Sequence, residues 1–168
     1  ALGPLPDKAA TLRLVCKVLK PGGMLSLAET VVQQAQRLYD LVDLSALGDD
    51  LSQRVREAEE QIYAAPDMPL VTWLPADLQD AVEKAGFENA SVGEQVQEAD
   101  VLVSPDTLGR WFETEGYRER PSYAQHLLGH ITDEEFAQVR GLYEQQLGGQ
   151  TVRWRTRIAF VVGQKPEA

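Results

Sequence analysis

The sequence predicts an α/β fold of about three strands with covering helices, and three local patterns carry that expectation. Residues 7–29 have the pattern of a helix, a tight glycine turn and a buried strand. A helix over residues 76–85 ends at Ala85, Gly86 and Phe87, ahead of an extended segment at 90–103. Residues 151–163 alternate as a strand. Helix, turn and strand in that order form the αβ half of a βαβ unit.

Taken in chain order, Asp7 is placed to cap a helix whose apolar residues Leu12, Val15, Cys16 and Leu19 recur at helical spacing. Lys17 and Lys20 sit near its negative C-terminal end. Lys20, Pro21, Gly22 and Gly23 then stop it. Residues 24–28 are mostly apolar without alternating charge, the pattern of a strand covered on both faces. Val31, Ala35, Leu38 and Val42 predict a second helix over residues 30–47, broken at Gly48. Leu51, Val55, Ala58 and Ile62 predict a third, whose other face, with Arg54, Arg56, Glu57, Glu59 and Glu60, is expected in solvent.

Residues 64–69 read as a loop, after which Val71 and Trp73 lead to the helix over 76–85. Gly86 fits the left-handed position that closes a helix, with Phe87 folded back onto it. In the extended segment, Gly93 or residues 98–100 are places for a bulge or interruption. Ser104 and Pro105 form a cap and first turn for a short helix through Leu108, Trp111 and Phe112. A charged loop at 116–121 and a short helical stretch at 122–129 follow.

Thr132 and Glu135 have the spacing of a capping box, continued by Phe136, Val139, Leu142, Tyr143 and Leu147 and ended by Gly148 and Gly149. In the last strand Val152, Trp154, Thr156, Ile158, Phe160 and Val162 share one face; Arg153, Arg155, Arg157, Ala159 and Val161 share the other. Burial on one face, and on both near the end, is expected. Without internal repeats or a second boundary, the pattern predicts a single domain over residues 1–168 with a helical insertion at about 104–149 before the last strand.

Composition limits the function classes. The 168 residues include 26 acidic and 16 basic side chains, a net charge of −10 that repels phosphate backbones and argues against direct nucleic-acid binding. The single cysteine, Cys16, lies in a helical apolar pattern and reads as a small buried hydrophobe. No apolar run approaches the roughly 18 residues needed to span a bilayer, and the N-terminus lacks the pattern of a secretion signal. A cytoplasmic setting with no membrane partner is expected. The opening Ala1, Leu2, Gly3 and Pro4, without methionine, is what a piece of a longer chain would show.

The segment LRLVCKVLKPGGMLSLAET, the helix ending in EKAGF with its extended continuation, and the final RTRIAFVVGQKP strand together resemble the later half of class I S-adenosylmethionine-dependent methyltransferases. The resemblance implies the C-terminal half of a Rossmann-like methyltransferase sheet. The helix before KPGG and the strand after it stand for the family's fourth helix and fifth strand, AGF precedes the sixth strand, and an antiparallel seventh strand closes the chain. More narrowly, PDKAATLRLVCKVLKPGGMLSLAETV, RLYDLVDLSALGDDLSQRVREAEEQIY and PLVTW resemble the extra domain that follows a replication-associated recombination ATPase of the AAA+ type in cyanobacterial fusion proteins. That resemblance implies a covalently linked AAA+ ATPase region as partner.

The same resemblance implies that the glycine-rich loop, the ribose-binding acidic residue and the fourth strand all precede residue 1. The glycine pairs Gly22, Gly23 and Gly148, Gly149 follow helices instead of strands, so neither is a dinucleotide-type fingerprint. No catalytic, cofactor-binding or metal residue is therefore assigned. S-adenosylmethionine is expected only with a full-length protein.

Weaker ligand candidates remain. Glu29 ends the first strand, where ligands gather in open α/β sheets, and next to Thr30 it equally suits a helix cap. Arg153, Arg155 and Arg157 on one strand face can grip a carboxylate or phosphate, or pair across the sheet with Glu94 and Glu98. His126 and His130 have a metal-compatible spacing interrupted by Gly129, and read more simply as surface residues. Trp73, Trp111 and Phe112 suit a pocket wall or, more simply, core.

Two functions follow. One is a methyltransferase-like accessory domain without a complete cofactor site, acting in assembly or partner contacts. The other is the C-terminal, substrate-side portion of an active methyltransferase, with the 104–149 insertion as a lid. A homodimer through the exposed sheet edge at residues 24–29 is a third expectation.

Overall fold

The computed structural model describes residues 2–115 and 121–167, a mixed α/β chain with a three-stranded sheet and six α-helices among the described residues. Asp7 accepts a hydrogen bond from Ala10 N–H at 2.8 Å and starts helix α1, Lys8–Val18. The turn that follows brings Gly22 to φ 74°. At Gly23 a Cβ would stand 2.8 Å from the Lys20 carbonyl, so only glycine closes it without a shift. Strand β1, Met24–Thr30, leaves this turn.

Helix α2, Asp49–Tyr63, and helix α3, Pro75–Lys84, come next. Asp77 accepts from Leu74 N–H and fastens the start of α3, and Gly86, at φ 93°, ends it with Phe87 N–H returned to Val82 O. Strand β2 runs Glu88–Leu102 without a break at Gly93 or at 98–100. Helices α4, Pro105–Trp111, α5, Tyr123–Leu128, and α6, Asp133–Leu147, precede strand β3, Thr151–Gln164. Ser104, Ser122 and Thr132 cap the three helices through their hydroxyls, the last in the predicted box with Glu135. The charged loop expected at 116–121 lies, apart from Pro121, outside the described residues.

The sheet order is β1-β3-β2, and β1 is antiparallel to β3 in the register Met24↔Gln164 to Thr30↔Ile158. Glu94 meets Arg157 and Glu98 meets Arg153, so β2 also runs against β3. β1 and β2 therefore run the same way.

The chain divides into two compact units, one of residues 1–35, 65–97 and 155–168, the other of residues 36–64 and 98–154. The first has its core in Leu12, Leu25, Val31, Trp73, Leu78, Val82, Phe87, Ala159 and Val161. α1 packs against α3 here, and Cys16 lies half-buried against this core, close to its expected place. The second is built on Leu44, Leu51, Val55, Val103, Phe112, Leu127, Val139 and Tyr143. In it α2 packs on α5, and Arg54 of α2 donates to Asp50, to both oxygens of Glu135 and to His130 O.

Three expectations are corrected. Residues 30–47 do not form a helix; they make three 3-10 turns, Val32–Gln34, Leu38–Leu41 and Leu44–Leu47. Amides that a helix would use internally are taken instead by Glu59, for Leu38 and Tyr39, and by Asp43, for Ser45. β1 is covered on one face only: Leu25 and Glu29 are buried, while Met24, Ser26, Ala28 and Thr30 are exposed. In β3 the residues that reach the first core are Ala159, Val161 and Gly163, and Phe160 is exposed, so burial on both faces near the strand end does not occur. Val152 and Trp154 pack on the second core.

Gly163 lets β3 lie close against Val82 of α3 and Phe87 beyond it. A Cβ there would lie 2.8 Å from Val82 Cγ1 and 3.0 Å from Phe87 Cβ. Gly163→Ala is expected to lower unfolding free energy by about 1–3 kcal/mol. Gly141→Ala, inside α6 with open space around it, is expected to raise it by about 0.4–1 kcal/mol. Urea unfolding of the two variants checks both signs.

Candidate functional site

In an open α/β sheet, ligands gather beyond the carboxyl ends of the strands. Glu29 stands at that end of β1 and is only 7% exposed. Its Oε1 accepts from Leu2 N–H at 2.6 Å and its Oε2 from Gly3 N–H at 3.2 Å. A carboxylate is an acceptor-only group, and two consecutive backbone amides occupy one oxygen each. A Cβ at Gly3 would stand 3.2 Å from Leu70 Cδ1 and in ordinary contact, 3.5 Å, with Glu29 Oε2. Glu29 caps no helix of its own, the turn at Val32–Gln34 having no side-chain cap, and its carboxylate meets the chain's N-terminal segment.

Around it, Lys8 Nζ donates to Leu5 O at 2.9 Å and stands 5.9 Å from the Trp73 ring centre. Burial lowers the Lys8 pKa below its usual value, against the opposing pull of Glu29 and Asp77. Trp73 is core, as expected, and its Nε1 is buried with no hydrogen-bond partner among the described residues.

A second buried carboxylate, Glu59 on α2, was expected in solvent and is instead 0% exposed. It accepts from Leu38 N–H and, at 3.2 Å, from Tyr39 N–H. Burial pushes its pKa up to about 7, outweighing the two amides and the nearby Arg37, which pull it down. Its neighbour Glu60 grips the same segment from outside, accepting from Arg37 Nε at 2.6 Å and Tyr39 Oη at 2.7 Å. Desolvation first, then that hydrogen bond, pushes the Tyr39 phenol up to about 12. Arg37 also lies over the Tyr63 ring at 3.6 Å. Periodicity alone misses Glu59, because the signal is a partner segment twenty residues earlier.

The other candidates disperse. Arg153 Nε pairs with Glu98 at 2.9 Å and Arg157 with Glu94 at 3.4 Å, the cross-strand alternative; Arg155 is engaged as well. His126 lies in α5 and is engaged, whereas His130 lies beyond the helix and bonds Gln61 at 3.0 Å. No group of three potential metal ligands occurs among the described residues. Trp111 stacks on Trp154 at 6.2 Å, and Phe112 sits edge-on to Tyr123, Phe136 and Tyr143. Beside them, a cleft of about 920 Å³ carries Asp106, Arg110, Glu113 and Arg140, charges of both signs that select no single class of ion. Among the described residues, no helix is long and apolar enough to cross a membrane. No family model matches this chain, and no curated protein matches it.

What the two buried carboxylates do is hold backbone. For Glu59 this has a pH signature. Its folded pKa of about 7 lies above the usual 4.5, so the native state binds the extra proton and its contribution is fully present below about pH 4.5. Stability is expected to fall by on the order of 1–3 kcal/mol as pH rises from about 4.5 to about 7, and Glu59→Gln is expected to flatten that slope. Urea unfolding across the window measures it.

Proposed function

We propose that this chain is a methyltransferase-like accessory module without a complete cofactor site, part of a recombination- or replication-associated AAA+ ATPase fusion, acting in assembly or partner contacts. The helix–turn–strand of α1 and β1, the parallel sense of β1 and β2, and the last strand antiparallel between them support the methyltransferase-like half of this reading. The net charge of −10 supports protein contacts over nucleic-acid contacts.

The observation that carries the accessory role is the closed end of β1. Glu29 accepts from the Leu2 and Gly3 amides there, so the buried carboxylate at this strand end holds the chain's own N-terminal segment. Gly22 and Gly149, the positive-φ members of the two glycine pairs, lie after α1 and α6, not in the turn that follows a strand, where a dinucleotide-type loop sits. These placements support the reading that the described residues do not by themselves make up a complete S-adenosylmethionine site.

Calorimetric titration of S-adenosylmethionine into the chain tests this reading. No binding is expected at micromolar concentrations. Micromolar binding by the chain itself would contradict it, and binding joined to methyl transfer in a longer protein carrying the preceding strands would favour the substrate-side portion of an active enzyme.

A further inference from the structure

Residues 38–47 lie on the core of the second unit as two 3-10 turns, Leu38–Leu41 and Leu44–Leu47, and bury Leu38 and Leu44 in it. Their backbone bonds are local: Asp40 N–H donates to Arg37 O at 3.3 Å, and Gly48 N–H donates to Ser45 O at 3.2 Å. Side chains make the ties to the helices beneath. Glu59 of α2 accepts from the amides of Leu38 and Tyr39, and Ser52 of α2 donates its hydroxyl to Leu44 O at 2.7 Å. Gln146 of α6 clasps Asp43, accepting from its N–H at 2.7 Å and donating to its carbonyl at 3.0 Å. Glu60 adds the outer grip on Arg37 and Tyr39. A segment fastened in this way lifts off without breaking a helix or a sheet ladder.

Of the two carboxylates that hold this segment, Glu59 is fully buried, whereas the Glu60 side chain is 48% exposed. Glu60, on the same helix, opposes ionisation of Glu59, and Arg37, from the segment, favours it. From α5 and α6 come the phenols of Tyr123 and Tyr143, 3.1 Å apart, whose own surroundings include Tyr63 and Arg56 of α2 and Asp40 of the segment. Arg37 also pairs with Glu60 at 2.6 Å and lies over the Tyr63 ring, so its charge is divided. Burial therefore outweighs Arg37 and the two amides, and the docked carboxyl keeps its proton up to about pH 7. When the segment lifts off, water reaches Glu59 and its pKa returns toward the usual 4.5. The docked form then binds the proton more tightly than the released form. Release becomes easier as pH rises from about 4.5 to about 7 and levels off above that.

We propose that residues 36–47 form a strap that releases from α2 as a local unit when Glu59 loses its proton, while the rest of the second unit stays folded. The other contacts of α2 do not pass through the strap: the helix packs on α5, and Arg54 holds both oxygens of Glu135 at the start of α6. Release uncovers the side of α2 on which Leu38 and Leu44 lie. The surface that this unit presents therefore differs between mildly acidic and neutral media. The inference goes beyond the accessory-module reading and does not depend on it, since cofactor titration leaves the strap untouched.

Amide exchange of the chain, followed by NMR between pH 4.5 and 8, tests it, each rate being divided by the intrinsic rate at that pH to leave the opening constant. Leu38, Tyr39 and Asp43 report on the strap; Val139 and Leu142, inside α6, report on the unit as a whole. Strap opening is expected to exceed α6 opening at least tenfold throughout, and to rise by about ten- to a hundredfold from pH 4.5 to 7 before levelling off. Glu59→Gln is expected to remove the rise. Histidines change charge in the same range, so this variant also separates Glu59 from His126 of α5 and from His130, which bonds Gln61 of α2. Ser52→Ala, which removes one clasp and keeps the carboxylate, is expected to raise strap opening several-fold at every pH and to leave α6 unchanged. Strap and α6 amides that open together in the unaltered chain would overturn the proposal, as would a pH rise that persists in Glu59→Gln.

Discussion

Two buried carboxylates, one in each unit, each take two consecutive backbone amides, and the irregular segments of this chain depend on them. Leu2 and Gly3 hang on Glu29; Leu38 and Tyr39 hang on Glu59. A segment without a helix or strand of its own must still satisfy its buried amides. A carboxylate does so with charge-assisted bonds worth about 1.5–3 kcal/mol each, against the cost of leaving water. The balance differs visibly at Glu59, where burial wins and pushes the pKa up to about 7. The same design trades local regularity for tertiary anchoring, which is why residues 30–47 turn three times instead of forming one helix.

Much of the framework was legible because its signals are local. Asp7, Ser104 and Thr132 cap the helices they precede, Gly22 and Gly86 take the positive φ their turns require, and the alternating charges of β3 find Glu94 and Glu98. What escaped depends on residues far apart in the chain. Val31, Leu38 and Val42 are spaced as on a helix, yet no periodicity registers that Glu59 competes for the amides between them. The face of β3 that meets the first core is set by Val82 and Phe87 closing on Gly163, and the even-numbered residues there, Phe160 among them, are larger and were the natural choice for burial. Glu29 was singled out for its position at a strand end; its partners, Leu2 and Gly3, come from a segment with no motif at all.

The functional picture follows from where polar groups are spent. The end of β1, the natural place for a ligand in a sheet of this kind, is closed by the chain's own backbone. Two arginines of β3, Arg153 and Arg157, pair with glutamates of β2.

Amide hydrogen exchange, followed by NMR for Leu2, Gly3, Leu38 and Tyr39, tests the central role of the two carboxylates most directly. All four amides are expected to exchange slowly, and the protection of the Leu2 and Gly3 pair is expected to vanish in Glu29→Ala. Rapid exchange at Leu2 and Gly3 in the unaltered chain would contradict the account, because the end of β1 would then be open.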